Sequence, residues 1–264
     1  MVPHDDVTQF RRLSMAEFAA DLYQVRAGEG RAEYSDPVEF FRRTFVTEGL
    51  RQLLAQAATR VSSTPEAIGA PVIDLQTTFG GGKTHSMIAL YHLLSGAAVT
   101  AFPQDGQDLL GGVGISQLPP VRRVVIVGNQ LSPGQASEKA DGTVVRTMWG
   151  ELAWQLGGAE GFRFVGEADR TSTNPGDNLR ALLRAYSPCL ILIDEWVAYA
   201  RDLLGKDEVV VGGTFDTHFS FAQALTEAAR ATPGALLVVS LPASQRGRAT
   251  VPTRTAMSLV RRTK

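Results

Sequence analysis

The chain has 264 residues, of which 44% are hydrophobic and 20% charged, so it can bury a core without disulfides or a structural metal. Its 26 Lys and Arg residues balance 27 Asp and Glu residues, which argues against a chain whose whole surface attracts a polyanion. A single cysteine, Cys189, excludes an internal disulfide and a zinc site built from cysteines.

Residues 1–65 carry repeated helix signals and predict an N-terminal helical element. Gly28 is where we expect one of these helices to end, because glycine is favoured just past a helix C-terminus. Asp36 and Pro37 predict the start of another, because aspartate caps helices and proline is favoured in their first turn. An apolar stripe continues from there across a break near Gly49.

Four continuous apolar runs predict buried strands, and helices are predicted between them. The strands are predicted at 72–75, 124–127, 190–193 and 236–241. The helices are predicted at 83–94, 143–156, 179–186 and 219–231, with loops at 103–120 and 157–176. Such alternation is typical of a parallel sheet covered on both faces. We therefore expect an α/β three-layer sandwich with a mostly parallel sheet.

A glycine-rich segment, residues 77–84, lies between the first strand and its helix, where a nucleotide phosphate-binding loop is expected. Glycines let backbone N–H groups turn toward phosphate oxygens, and the helix N-terminus adds partial positive charge. Lys83 is expected to contact the β and γ phosphates, and the Thr84 hydroxyl to bind Mg²⁺. Thr77 stands where the motif has glycine. The expected nucleotide-binding residues are Phe79, Gly80, Gly81, Gly82, Lys83, Thr84 and His85.

The third predicted strand ends in two adjacent carboxylates, Asp194 and Glu195. In a parallel sheet the carboxyl ends of the strands face the ligand crevice. Asp194 is expected to hold Mg²⁺ and Glu195 to polarise the attacking water. The simpler alternative, the solvated end of a strand, is less favoured because a phosphate loop precedes the pair.

Polar residues follow two other predicted strands. Ser240 is the candidate that would sense the γ-phosphate, and it joins Glu195 and Lys83 as a candidate catalytic residue. Ser244, Asn129 and Gln130 are alternatives. For each of them the simpler role is a hydrogen-bonded group at a strand end.

The histidines His85, His92 and His218 have no spacing typical of a metal site. We expect ordinary packing for them, which for His85 is the alternative to a nucleotide contact. Cys189 precedes an apolar run and is expected to be a buried, inert thiol.

Five segments occur in order along the chain: 36–41, 76–91, 194–201, 213–219 and 240–244. Together they resemble a family of large bacterial AAA+-type P-loop ATPases, known only as a domain of unknown function. The resemblance extends from about residue 3 to residue 244, and the segments 196–200 and 214–218 are its most specific parts. It implies Lys83 and Thr84 as nucleotide and Mg²⁺ residues and Asp194 and Glu195 as metal and catalytic residues.

The resemblance also implies ATP as the nucleotide and suggests partners. Members of the family are often encoded beside DNA methyltransferases in phage-defence or restriction-like clusters. A DNA methyltransferase or another DNA-associated protein is therefore an expected partner, together with further copies of the chain in a homo-oligomer.

Residues 245–264 are basic and show neither helix nor strand period, and we expect a disordered or aberrant tail; a nucleic-acid-binding arm is the alternative. The predicted divisions are thus the helical element, a P-loop NTPase core at 66–244 and this tail. The fifth strand and the helical lid that an AAA+-type module has after the fourth strand are expected to be missing, which would leave the strand at 72–75 at the sheet edge.

The predicted function is Mg²⁺-dependent ATP hydrolysis. The alternatives are a nucleotide-binding switch that works by changing partners and a non-hydrolysing fragment of a longer ATPase. No apolar stretch approaches the roughly 18 residues that a membrane span needs, so we expect a cytoplasmic protein with no membrane partner.

Overall fold

The computed structural model describes residues 21–62, 69–77, 82–204 and 210–242. Within them, four parallel strands form the main sheet in the order β1-β6-β5-β2. The strands are β1 (Val72–Thr77), β2 (Arg122–Val127), β3 (Ser137–Glu138), β4 (Val144–Val145), β5 (Cys189–Asp194) and β6 (Ala235–Pro242). The short strands β3 and β4 pair with each other in antiparallel fashion. The predicted α/β class with a parallel sheet is confirmed.

The α-helices of the described residues surround this sheet. They are α1 (Leu22–Ala27), α2 (Ala32–Ser35), α3 (Pro37–Arg43), α4 (Glu48–Ser62), α5 (Lys83–Leu93), α6 (Gln104–Gly112), α7 (Met148–Phe162), α8 (Gly166–Arg170), α9 (Asn178–Tyr186), α10 (Trp196–Arg201) and α11 (Phe215–Arg230). Short 3-10 helices cover Val99–Ala101 and Gly128–Gln130. In the described part of the chain, none of the helices has the length and apolar character to cross a membrane.

The order of the strands determines which face of the sheet each helix covers. From β1 at one edge the chain passes to β2 at the other, and it then returns through β5 to β6. Because parallel crossovers are right-handed, the outward and return connections cover opposite faces. Leu190 and Leu192 accordingly share a core with α1 and α3 to α6, whereas Ile191 and Ile193 share one with α7, α9 and α11.

The N-terminal helices have the predicted signals at their ends. Gly28 follows α1 with a φ of 73°, and the Asp36 carboxylate accepts a hydrogen bond from Glu39 N at 2.7 Å. Both predicted boundaries are confirmed. The break lies at residues 44–47, however, and Gly49 is already part of α4.

Arg60 of α4 connects these helices to the sheet. Its guanidinium donates to the carbonyl oxygens of Ala229 at 2.9 Å, Thr232 at 2.7 Å and Ala235 at 2.8 Å. These carbonyls lie at and beyond the end of α11, where helix acceptors have no intrahelical partner. A cation at this point therefore satisfies them and suits the helix dipole.

Two predicted boundaries around the second strand are wrong. Residues 103–120 were expected to form a loop, but they contain α6, in which Leu109 and Leu110 are buried. The helix expected at 143–156 starts only at Met148, because the preceding residues form β4 and the Thr147 hydroxyl caps the helix by accepting from Gly150 N.

Two further boundaries are wrong in the second half of the chain. The loop expected at 157–176 contains the end of α7, which continues through a kink at Gly157 and Gly158, and all of α8. Helix α11 begins before residue 219, because Thr214 and Thr217 form a reciprocal capping box at its start. In the described residues β1 has β6 as its single neighbour, so its predicted edge position is confirmed there. The tail at 245–264 lies outside the described residues.

Candidate functional site

The carboxyl ends of the parallel strands bring two predicted site residues together. Ile193 of β5 is paired with Val239 of β6, so the next residues, Asp194 and Ser240, are also adjacent. Side chains alternate along a strand, and Asp194 shares the face of Leu192, which packs in the core that contains α5. The register of β5 against β6 and the alternation of side chains along each strand therefore direct the Asp194 carboxylate and the Ser240 hydroxyl toward α5.

Asp194 is buried, at 5% exposure, and accepts hydrogen bonds from three residues. Thr84 Oγ1 of α5 donates to Oδ2 at 3.2 Å. Ser240 Oγ donates to Oδ1, and the backbone N–H of Glu195 donates to the same oxygen at 3.0 Å. The two residues predicted to bind a metal and the predicted γ-phosphate sensor thus meet in one cluster.

Glu195 turns the chain sharply at the end of β5. Its φ of 53° and ψ of 30° lie in the left-handed region, which costs a residue with a Cβ roughly 1 kcal/mol. Its N–H also points at Ser240 Oγ, at 3.2 Å. The turn leaves the Glu195 side chain exposed while Asp194 stays buried.

Gly128, directly after β2, makes room for this turn. A Cβ on Gly128 would lie 2.2 Å from the carbonyl oxygen of Glu195 and 3.1 Å from the Cβ of Tyr199. The N–H of Tyr199 donates to the same Glu195 oxygen at 3.3 Å. Sequence reasoning missed Gly128, although a glycine at the carboxyl end of a buried strand was a signal that could have found it.

Part of the predicted phosphate loop is described. Gly82 has a φ of 74°, which favours glycine, and it immediately precedes α5. Lys83 and Thr84 follow in the first turn, where backbone N–H groups have no intrahelical acceptor. Phe79, Gly80 and Gly81 lie outside the described residues.

His85 packs against the N-terminal helices. Its Nε2 is 3.2 Å from Thr44 Oγ1, and its ring centroid is 4.7 Å from that of Phe40. Burial lowers the pKa of His85, so the ring is neutral near pH 7. The predicted packing is confirmed, whereas a contact with the nucleotide stays a prediction.

The other polar candidates have ordinary surroundings. Asn129 and Gln130 are exposed in the 3-10 helix after β2, and Ser244 lies outside the described residues. His92 and His218 are buried with Nε2 bonded to backbone carbonyls, and burial lowers the pKa of His218 to about 4.

In the part of the chain that the structure describes, no group of three or more His, Cys, Asp or Glu side chains is arranged so that it could hold a metal ion.

The thiol of Cys189 is fully buried at the start of β5. Burial raises its pKa to about 12, so the thiolate is not formed near neutral pH. The predicted inert thiol is confirmed.

A second buried carboxylate, Asp169 of α8, was missed because its segment was expected to be a loop. It is fully buried and accepts from Thr147 N at 2.9 Å, from Thr147 Oγ1 at 2.6 Å and from Arg146 N at 3.0 Å. The Arg146 guanidinium lies 3.6 Å from its other oxygen. Asp169 therefore holds the corner between β4 and α7.

Fold and site together define an α/β protein with a carboxylate–hydroxyl cluster at the carboxyl edge of a four-stranded parallel sheet. The chain belongs to the family of the DUF499 N-terminal domain, whose model matches residues 4–263. This is a family of unknown function, as the resemblance implied. Comparison with curated proteins gave no match. Comparison with solved structures also gave none.

Proposed function

We propose that this chain binds ATP and hydrolyses its β–γ phosphoanhydride bond. The observation that carries the proposal is the hydrogen bond between Thr84 and Asp194, which are 110 residues apart in the sequence. Thr84 ends a glycine-rich loop motif and Asp194 ends a buried strand, and the sequence predicts a Mg²⁺ ligand at each position. Their contact at the carboxyl edge of a parallel sheet fits a single nucleotide site.

The residues of this cluster suit Mg²⁺. The Thr84 hydroxyl and the Asp194 carboxylate would hold the ion, and both are oxygen donors of the kind it prefers. Magnesium in such sites keeps water and phosphate ligands, so two protein residues suffice. When bound, the ion would supply positive charge that neutralises the negative charge developing on the phosphates.

The remaining residues have separate roles in the proposed reaction. Lys83 and the N–H groups of the first turn of α5 would bind the phosphates. The exposed carboxylate of Glu195 would orient the attacking water and accept its proton. Ser240 donates to Asp194 and accepts from the N–H of Glu195, so it would keep the two carboxylates in fixed relative positions.

Phosphate release by the wild type and by E195Q tests this proposal. Removal of a general base typically costs about a hundredfold or more in rate, so E195Q should retain ATP binding but lose turnover by that factor. The control E160Q changes an exposed carboxylate of α7 and should leave turnover unchanged.

Two outcomes would contradict the proposal. Failure of the wild type to bind ATP would reject it entirely. Tight ATP binding without turnover in either protein would reject hydrolysis and support a nucleotide-dependent switch or a non-hydrolysing fragment of a longer ATPase.

We also propose that the domain is AAA+-type, forms a homo-oligomer and acts in a DNA-modification or phage-defence system with a DNA methyltransferase or similar partner. The resemblance of residues 196–200 and 214–218 supports this. The Tyr199 and His218 rings from these segments pack 4.9 Å apart, beside the turn that carries Glu195. Light scattering with and without Mg-ATP tests assembly, and absence of any nucleotide-dependent oligomer would contradict it.

A further inference from the structure

Phe45 is an exposed aromatic residue in an otherwise buried aromatic region. Its side chain is 68% exposed, whereas Phe40 and Phe41, five and four residues earlier, are 2% and 5% exposed. The hydrophobic pattern that buries α3 therefore stops before this ring. A phenyl ring left in water is available to a ligand with a flat apolar face.

The loop at residues 44–47 holds Phe45 in a fixed position. Thr44 Oγ1 donates to Phe40 O at 2.8 Å, and Thr47 N donates to the carbonyl oxygen of Phe45 itself at 3.0 Å. Thr47 Oγ1 also accepts from Leu50 N at 3.3 Å, in the first turn of α4. These hydrogen bonds preorganise the backbone of the loop that carries the Phe45 ring.

This loop is attached to the helix that begins with the proposed phosphate-binding residues. The Thr44 hydroxyl has one proton, which it donates to Phe40 O, so His85 Nε2 is the donor in its 3.2 Å contact with Thr44. His85 directly follows Thr84 in the first turn of α5. Phe45 directly follows Thr44, so its backbone is one residue from a contact with the first turn of α5.

We propose that Phe45 is the platform on which the base of the bound nucleotide stacks. The proposal rests on the function proposed above, because it needs the triphosphate on Lys83 and Thr84. A phenyl ring has no hydrogen-bonding group, so it recognises the area of a base and not its donors and acceptors. The substrate class is therefore a purine nucleoside triphosphate, with adenine and guanine bound about equally well by this contact.

Calorimetric titration of the full 264-residue chain with Mg²⁺ and ATP, GTP, CTP or inorganic tripolyphosphate tests the proposal. Tripolyphosphate has the phosphates and no base, so it separates the two contributions. We expect the wild type to bind the purine nucleotides more tightly than CTP or tripolyphosphate. In F45A the affinity for ATP should fall about tenfold or more, as for other stacking aromatics, with no change for tripolyphosphate.

Two further variants make the test specific. F45W should bind ATP at least as tightly as the wild type, because the indole offers a larger stacking face. Y23A removes another exposed aromatic, 44% exposed in α1, and should change nothing. Because both substituted side chains are exposed, we expect all variants to melt like the wild type.

The outcomes distinguish this inference from the proposed function. An unchanged ATP affinity in F45A, or an equal loss for ATP and tripolyphosphate, would overturn the stacking role while the nucleotide site itself stands. The first of these results would be expected if Phe45 instead docks another protein. A wild type that binds neither ATP nor tripolyphosphate would overturn both proposals.

Discussion

Asp194 and Asp169 are both buried carboxylates with several hydrogen bonds, but their partners differ in kind. Asp169 is held by the backbone N–H groups of Arg146 and Thr147 and by the Thr147 hydroxyl. Asp194 is held by two hydroxyls from other elements and by the N–H of the next residue. Backbone amides cannot turn away without unfolding, whereas hydroxyls can rotate to new acceptors. Asp169 is therefore suited to fixing the fold, and Asp194 to exchanging partners with a ligand.

The largest expected difference between the two carboxylates is in how much each contributes to the free energy of unfolding. D169A leaves the backbone N–H groups of Arg146 and Thr147 without their acceptor, and we expect the free energy of unfolding to fall by about 3 to 5 kcal/mol. Urea denaturation measures this. D177A, which removes an exposed aspartate with a surface ion pair, should cost less than about 0.5 kcal/mol. Equal costs for the two variants would mean that Asp169 is not a structural anchor.

D194N tests whether Asp194 serves ATP turnover and contributes little to stability. The amide still accepts from Thr84 or Ser240 but has no negative charge with which to hold Mg²⁺, so ATP turnover should fall about a hundredfold, equivalent to ~2.7 kcal/mol. The free energy of unfolding should change by about 1 kcal/mol or less. D108N, an exposed aspartate of α6, is the control. If D194N lost as much stability as D169A, Asp194 would be a structural residue like Asp169 and the contrast between the two carboxylates would be wrong.

The acid sensitivity of the molecule should come in large part from the buried imidazole of His218. The pKa of His218 is lowered to about 4 in the folded state, against about 6.5 when unfolded. The unfolded state therefore binds the proton first, and stability is lost as the pH falls below about 6.5. Between pH 6.5 and 5 the loss from this group should be about 2 kcal/mol.

H218Q keeps a donor for the Gly212 carbonyl and should show a shallower loss of stability over this range. His85 and His92, whose pKa values burial also lowers, account for the slope that remains. A slope identical to that of the wild type would assign the acid sensitivity to other groups.

A smaller effect is expected at Gly128, which lies directly after β2 and against the turn that carries Glu195. In G128A the new methyl group would displace the Glu195 carbonyl, because only 2.2 Å is available. Turnover should fall about tenfold or more, with ATP binding little changed. G111A adds a methyl group in α6, where no atom lies within 4 Å, and should be neutral. Full activity of G128A would show that the turn after β5 tolerates movement.

Signals that act within a few residues were predictable from the sequence. The cap at Asp36 and the end of α1 at Gly28 were correct because such preferences depend on adjacent backbone groups. Helix α6 was missed because its glycines resemble a loop, and its buried Leu109 and Leu110 become visible only through packing. Asp169 was missed because its segment was expected to be a loop, and because its amide partners belong to a different segment of the chain.

The sequence by itself determined the four apolar strands, and it placed Thr84 at the start of a helix and Asp194 at the end of a strand. Only the tertiary structure decided that the two residues meet, because the order β1-β6-β5-β2 arises from crossovers that span the whole sheet. It likewise decided that Ser240 donates to Asp194, since that contact depends on the register of β6 against β5. Local preferences act over one turn, whereas register and strand order depend on burying both faces of the sheet at once.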